Sequence, residues 1–196
     1  MSNKSNHLSD KVIVTNILNG NIQDFAVVVQ NTEKLVAQIV LKMTANEDDQ
    51  KDLVQDIYLK VYQNLPSFQF KSKLSTWIAN IAYNTTINYL QKKKIPIIGI
   101  EAIIESKFIV TENAEIETIK TEAVEILAKG IDKLPPLYKT LITLYHLEEL
   151  SNKEIAEITN LPEGTIKSYL SRARKILKDN INHHYKITRN DKQPFD

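Results

Sequence analysis

Residues 151–177 read SNKEIAEITNLPEGTIKSYLSRARKIL. Ser151 followed three positions later by Glu154 is a capping-box pattern and predicts a helix that starts at Ser151. Ile155 and Ile158 face inward, and Ala156 is small enough for two helices to cross closely. Asn160 tolerates the left-handed conformation that a tight turn needs, and Leu161 plugs the corner. Pro162 suits the first position of the next helix. In that helix Ile166, Leu170, Ala173 and Leu177 recur at the spacing of a buried face. The pattern is a helix-turn-helix whose recognition helix spans Pro162–Lys178. Its opposite side carries Thr165, Lys167, Ser168, Ser171, Arg172, Lys175 and Lys178. Such a face fits a DNA major groove, because lysine and arginine neutralise phosphates while arginine and hydroxyls reach base edges. A solvated basic helix on an ordinary bundle is the bland alternative. The conjunction of cap, small residue, turn and basic face favours DNA.

Outward from this motif, the rest of the chain also reads as helix. Of 196 residues 42% are hydrophobic, enough for packed cores, and only four are glycine. A short helix is expected over Asp10–Asn19, ending at Gly20. Asn21 is expected to cap a second helix, with Asp24 in its first turn. Phe25, Val28, Val29, Thr32, Leu35, Val36, Ile39 and Met43 form its buried stripe. A third helix begins near Asp48 with Leu53, Ile57 and Val61 stacked inward. Pro66 interrupts, Ser67–Lys73 reads as a loop, and a fourth helix runs from Leu74 to Lys93. Residues 101–121 are acidic without sustained apolar period and read as a linker. A second unit starts near Glu122, where Pro135–Pro136 separates two helices and the second buries Leu137, Leu141 and Leu144. The expectation is an all-α chain of two small helical domains joined by a linker. Its segments are an N-terminal helical extension (1–20), a first domain (21–95), a flexible acidic linker (96–121), the helix-turn-helix domain (122–182) and a disordered tail (183–196).

The net charge of +1 hides a segregation along the chain. Glu47, Asp48, Asp49, Asp52 and Asp56 cluster at the third helix. Carboxylates near its start complement the helix dipole, but Gln55, Asp56 and Lys60 continue the same surface. An acidic polar face repels DNA and suits a basic protein surface. From Ile57 to Ile100 there is no acid, while Phe68, Phe70, Trp77, Tyr83 and Tyr89 alternate with lysines and amides. Aromatic faces stack on unpaired bases for about 1–3 kcal/mol each, and lysines track the backbone. Asn80, Asn84 and Asn88 put three amides on one stripe, suited to the edges of unpaired bases. Trp77 and the phenylalanines can equally be core, and the amide stripe a solvated face.

These features, in this order, resemble the extracytoplasmic-function group of bacterial RNA polymerase sigma factors. The segments that carry the resemblance are DLVQDIYLKVYQNL (Asp52–Leu65), LSTWIANIAYNTTINYLQKKK (Leu74–Lys94) and LPPLYKTLITLYHLEELSNKEIAEITNLPEGTIKSYLSRARKIL (Leu134–Leu177). The resemblance implies that Asp48, Asp52, Gln55, Asp56 and Lys60 bind core RNA polymerase. It implies that Phe70, Lys71, Lys73, Trp77, Asn80, Tyr83, Asn84, Asn88, Lys92, Lys93 and Lys94 melt and hold the promoter −10 element. Thr165, Lys167, Ser168, Tyr169, Ser171, Arg172, Arg174 and Lys175 would read the −35 element, and the linker would follow the path of nascent RNA. Family members usually carry aspartate and arginine where Asn88 and Gln91 stand, and commonly arginine where Tyr169 stands. Those departures imply altered −10 contacts and −35 preference.

The implied activity is promoter recognition and DNA opening within a holoenzyme, with an anti-sigma factor as a further partner. The main rival is a stand-alone helix-turn-helix regulator that binds a palindrome as a dimer, which leaves the lysine-aromatic helix without a use. An enzyme has little support. His7, His146, His183 and His184 form no ligand pattern, and there is no phosphate loop or nucleophile elbow. Neither metal nor cofactor is expected. The chain has no cysteine, compatible with a reducing cytoplasm. It shows no signal-peptide pattern and no apolar run long enough to cross a membrane.

Overall fold

The computed structural model describes residues 2–93 and 122–190. Every helix-length element in them is helical: α1 (Ser2–Leu18), α2 (Gln23–Met43), α3 (Glu47–Asn64), α4 (Leu74–Lys92), α5 (Glu122–Asp132), α6 (Pro136–Ile142), α7 (Asn152–Thr159) and α8 (Glu163–Asn190). A 3-10 turn at Leu65–Ser67 follows α3, and α6 continues into a π-helical turn at Thr143–Leu147. The all-α expectation of two small helical domains holds, and the second is a helix-turn-helix. The linker expectation for 96–121, the phosphate role of Lys94 and the final residues 191–196 lie outside the described residues. Helix α8 runs through Asn190, past the Asn182 boundary expected from sequence.

Local chemistry explains the helix ends. Gly20 leaves α1 with φ 98°, a conformation open to glycine without strain. Asn21 does not cap α2. Ile22 occupies that position without a side-chain cap, and Asp24 instead accepts a hydrogen bond from Asn16 of α1 at 2.8 Å. Helix α3 is capped by Asn46, whose side chain accepts from the Asp49 N–H at 2.9 Å, with Glu47, Asp48 and Asp49 in its first turn. The Ser151–Glu154 capping box forms in both directions, and Asn160 adopts φ 57° in the turn after α7. Pro162 sits one residue before α8, where its carbonyl accepts from Ile166.

The buried stripe of α2 (Val28, Val36, Ile39, Val40) packs on Leu53, Ile57 and Val61 of α3 and on Leu74, Ile78, Ala79, Ala82 and Leu90 of α4. In the second domain Tyr138, Leu141, Leu144, Ile155, Ile158, Ile166, Leu170 and Ala173 are buried together. Gly130 of α5 lets α8 approach closely, since a Cβ there would meet Leu177 Cδ1 at 2.9 Å. Several threonines are buried inside helices. Thr32, Thr86, Thr140 and Thr159 each donate to the carbonyl four residues earlier, which satisfies the hydroxyl locally. Helix α2 also packs on α6, and α4 on α7, so one apolar core runs through both domains.

Candidate nucleic-acid and polymerase interfaces

The recognition helix presents the expected face only in part. Lys167, Ser168, Ser171, Arg172, Arg174 and Lys175 are exposed on α8 and Thr165 is half-buried. The Ser168 hydroxyl donates to the Thr165 carbonyl at 3.0 Å, and its lone pairs stay available. Arg174 is held in place. Its Nε donates to His146 Nε2 at 3.3 Å and its guanidinium lies 5.3 Å from the Tyr145 ring centroid. Burial and, after it, the nearby Arg174 charge push His146 below its ordinary pKa, which keeps the imidazole a neutral acceptor. The π-helical turn places Tyr145 and His146 beside Arg174, a role that the sequence pattern shows for neither.

Tyr169 departs from the expected −35 face. It is only 6% exposed, and its ring centroid lies 5.8 Å from that of Tyr138. Ile166, Leu170 and Ala173 define the buried stripe, and Tyr169 sits on its flank, against Tyr138 of α6. Tyr83 of α4 is likewise buried, at 7% exposure. Burial, with Tyr169 nearby, pushes the Tyr83 hydroxyl up to about 12. Neither tyrosine is placed to meet DNA in this arrangement.

The aromatic loop folds on itself. Phe68 is buried, with Phe70 at 4.7 Å and Trp77 at 5.1 Å between ring centroids. Phe70 takes the left-handed conformation, φ 56°, a strained choice for a bulky residue. Lys71, Asn88 and Lys92 are exposed and Lys73 is half-buried. Lys93 donates to both carboxylate oxygens of Asp49 at 2.9 and 2.8 Å and lies 4.9 Å from the Tyr89 ring centroid. That pairing holds Asp49 below and Lys93 above its ordinary pKa, and it offsets the charge Lys93 would bring to a phosphate.

The amide stripe is occupied from within the chain. Asn80 Nδ2 lies 2.9 Å from the Glu157 carbonyl and 2.9 Å from the Ile158 carbonyl of α7. Those carbonyls belong to the last turn of α7, which lacks intrahelical donors. Asn84 donates to Asn80 at 3.0 Å and accepts from Asn160 at 3.4 Å. Asp48, Asp52, Gln55 and Asp56 are all exposed on α3. Lys60 is half-buried, 2.6 Å from Asp56 and 3.5 Å from the Thr85 hydroxyl. Leu59 stands on the same face, 56% exposed. A charge pattern gives no signal for that residue.

Asp10 was also missed. Its carboxylate accepts the Leu74 N–H at 3.0 Å, and Lys73, at the cap position of α4, supplies no side-chain cap. An uncapped helix start after a loop is the one hint the sequence offered that a partner must come from elsewhere. Among the described residues no cluster of histidine, aspartate and glutamate could hold a metal, and no helix is long and apolar enough to cross a membrane.

Two domain families match the chain in series. Sigma-70 region 2 covers residues 28–95 and sigma-70 region 4 covers residues 125–177. The ECF RNA polymerase sigma factor SigW of Bacillus subtilis is 31% identical over 176 residues, 86% of this chain and 94% of that protein. The ECF RNA polymerase sigma-E factor of Escherichia coli K12 is 33% identical over 185 residues, 90% and 96% of the two chains. The fold is shared with the sigma factor RpoE of Bartonella quintana, solved with the anti-sigma factor NepR (TM-score 0.64, 22% identity, 82% of this chain and 98% of that one). It is also shared with CnrH, solved with the cytosolic domain of CnrY (TM-score 0.62, 19% identity, 89% and 97%). The fold and the paired regions are those of a bacterial transcription initiation factor. The chain belongs to the extracytoplasmic-function sigma factors of RNA polymerase.

Proposed function

We propose that this sigma factor docks on core RNA polymerase through the exposed face of α3, grips opened −10 DNA with α4, and reads the −35 element with α8. The observation that carries the reading is the match to regions 2 and 4 in series, over residues 28–95 and 125–177, with relatives above 30% identity over 86% and 90% of the chain. The surfaces support it. Asp48, Asp52, Gln55 and Asp56 lie exposed on the same side of α3 as the exposed Leu59, charged groups beside an apolar anchor of the kind protein interfaces favour. Thr165, Lys167, Ser168, Ser171, Arg172 and Lys175 share one side of α8. A division at residues 21–95 and 122–182 places each grip in its own domain.

The chain performs no catalysis in this scheme. Opening duplex DNA costs a few kcal/mol per unstacked base, which captured bases offset. Polymerase fixes both domains, so the second promoter contact is effectively intramolecular. The protein works in the cytoplasm, and an anti-sigma partner is proposed because RpoE of Bartonella quintana, which shares the fold, was solved with the anti-sigma factor NepR. Pull-down with core polymerase followed by run-off transcription on genomic fragments tests the reading. Arg172→Ala or Lys167→Ala should damage −35 recognition and leave polymerase binding intact. Failure to bind core polymerase, or nanomolar binding of promoter duplex by the free chain, returns the assignment to a stand-alone regulator.

A further inference from the structure

Between α6 and α7 the backbone of the second domain is irregular. The π-helical turn Thr143–Leu147 closes with the Glu148 N–H on the Thr143 carbonyl at 3.1 Å. Glu149 then takes φ 51°, a left-handed conformation that is costly for a residue with a Cβ. The Thr143 hydroxyl is buried without a hydrogen-bond partner among the described residues, whereas Thr140, in the regular turn before it, donates to the Pro136 carbonyl. Single π-turns inside helices collect at functional sites, and this one carries Tyr145 and His146 to the flank of α8. The two rings meet edge to face at 4.9 Å, Arg174 Nε donates to His146 Nε2 at 3.3 Å, and the guanidinium lies 5.3 Å from the Tyr145 centroid. These contacts use the Nε–H and one face of the guanidinium. The Nη groups, at the outer edge of the fork, stay available as donors. Lys60, Lys73 and Lys93 each pair with a carboxylate. Arg174 has instead a phenol ring and an imidazole that burial and the Arg174 charge keep neutral, so its own charge is not offset.

We propose that Tyr145 and His146 are positioning residues that hold Arg174 as a clamp for one phosphate of the −35 duplex. The inference rests on the assignment of α8 to the −35 element and adds a function for the π-helical turn. Arg174 stands seven residues after Lys167 and three after Ser171, on the same stripe of α8. Eleven residues separate it from Glu163 at the start of the helix, about 16 Å along the axis. A recognition helix reads base edges with its N-terminal residues in a groove about 12 Å wide. A side chain this far along meets the phosphate wall rather than a base. Phosphate takes parallel N–H···O bonds from a guanidinium fork. An arginine loose in solvent must give up rotamer freedom to make them, and the ring beneath Arg174 and the acceptor at its Nε remove much of that freedom beforehand. A neutral imidazole suits the acceptor's place, because a carboxylate there would offset the charge that attracts the phosphate.

The test uses holoenzyme assembled with the full chain. Its probes are a promoter duplex selected by the run-off assay and a copy with the −35 bases scrambled, each titrated over a series of salt concentrations. Arg174→Ala should weaken binding to both duplexes about tenfold and lower the salt slope by about one phosphate. His146→Phe keeps a ring against Tyr145 but removes the acceptor, and should weaken binding to both about fivefold. His146→Gln loses the ring but keeps an acceptor, and should stay within about twofold of the parent. The double variant Arg174→Ala with His146→Phe should bind no more weakly than Arg174→Ala alone, since each removes the same clamp. His146 and Arg174 are exposed, so thermal stability and binding to core polymerase should be unchanged throughout. Parent-like binding by His146→Phe overturns the clamp, and so do additive losses in the double variant or equal losses from His146→Phe and His146→Gln. A loss in Arg174→Ala confined to the unscrambled duplex assigns this side chain to base readout and overturns it as well. A chain that fails to bind core polymerase retires the sigma-factor reading instead, and the same variants measured on duplex DNA with the chain alone still decide the clamp.

Discussion

The Asp10 carboxylate accepts the backbone N–H of Leu74 at 3.0 Å, so that α1 caps a helix that begins 64 residues later in the chain. Lys73, at the cap position itself, has no acceptor to offer. Loss of a capping side chain costs about 0.5–2 kcal/mol, and asparagine caps nearly as well as aspartate. Asp10→Ala should therefore lower the melting temperature by a few degrees, at about 2–4 °C per kcal/mol for a chain of this size. Asp10→Asn should stay near the parent. Equal losses from both substitutions would mean that the carboxylate charge, and not the cap, is what α4 uses.

What the sequence made legible was local. Ser151 and Glu154 sit three residues apart and Asn160 follows within the same motif, so capping box and left-handed turn could be read directly, and both are present. The stripes of α2 and α3 were legible for the same reason, since each recurs within one helix. Asp10 with Leu74, and Asn80 with the end of α7, join residues far apart in sequence, and no period connects them. Tyr169 shows the limit from within a helix. Its place on the flank of the buried stripe leaves it open to either side, and the period of one helix does not show that the ring of Tyr138 from α6 packs against it. The spacing of Asn80, Asn84 and Asn88 shows one stripe of amides but not that Asn80 and Asn84 find partners within the chain. What satisfies them in the free chain depends on how the domains pack.

Leu59 should matter to polymerase binding more than its neighbours' charges suggest. It is exposed amid Gln55, Asp56 and Asp52, and apolar groups at the centre of a charged rim carry interface energy when water is excluded around them. Leu59→Ala is expected to weaken binding to core polymerase about tenfold, equivalent to about 1.4 kcal/mol. Because the side chain is exposed, thermal stability should stay within about 0.5 kcal/mol. Competition binding against a labelled reference sigma factor measures the first quantity and thermal denaturation the second. Unchanged affinity would confine the docking energy to the carboxylates.

Tyr169 should behave as a packing residue. Its ring lies against Tyr138, and removal of a buried aromatic side chain costs about 3–5 kcal/mol. Tyr169→Ala should be strongly destabilising. Tyr169→Phe keeps the ring and should leave both stability and −35 sequence preference near the parent. Tyr169→Arg brings in a guanidinium at a buried position against the Tyr138 ring, so it should destabilise the second domain. Promoter selection with the holoenzyme distinguishes the roles. A shift in the preferred −35 sequence for Tyr169→Phe would return this residue to direct readout.

Acid should act on the contact between the domains through Glu154. Burial pushes this carboxyl up, but the hydrogen bond from Lys73 and those from Ser151 outweigh it and hold the group below its ordinary value of 4.5. A carboxyl whose pKa is lower folded than unfolded adds stability that is complete above its ordinary value, and that stability is lost as pH falls through the folded value. The contact should therefore be insensitive to pH near neutrality and weaken only below the ordinary carboxylate range. Asp49, held down by its hydrogen bond to Lys93, adds a second component of the same sign that lies outside the domain contact. Thermal melts between about pH 7 and about pH 3 should show less acid-dependent loss in Glu154→Gln than in the parent, with the Asp49 component retained. Identical acid profiles for the two chains would show that the Lys73–Glu154 pair contributes nothing to that contact.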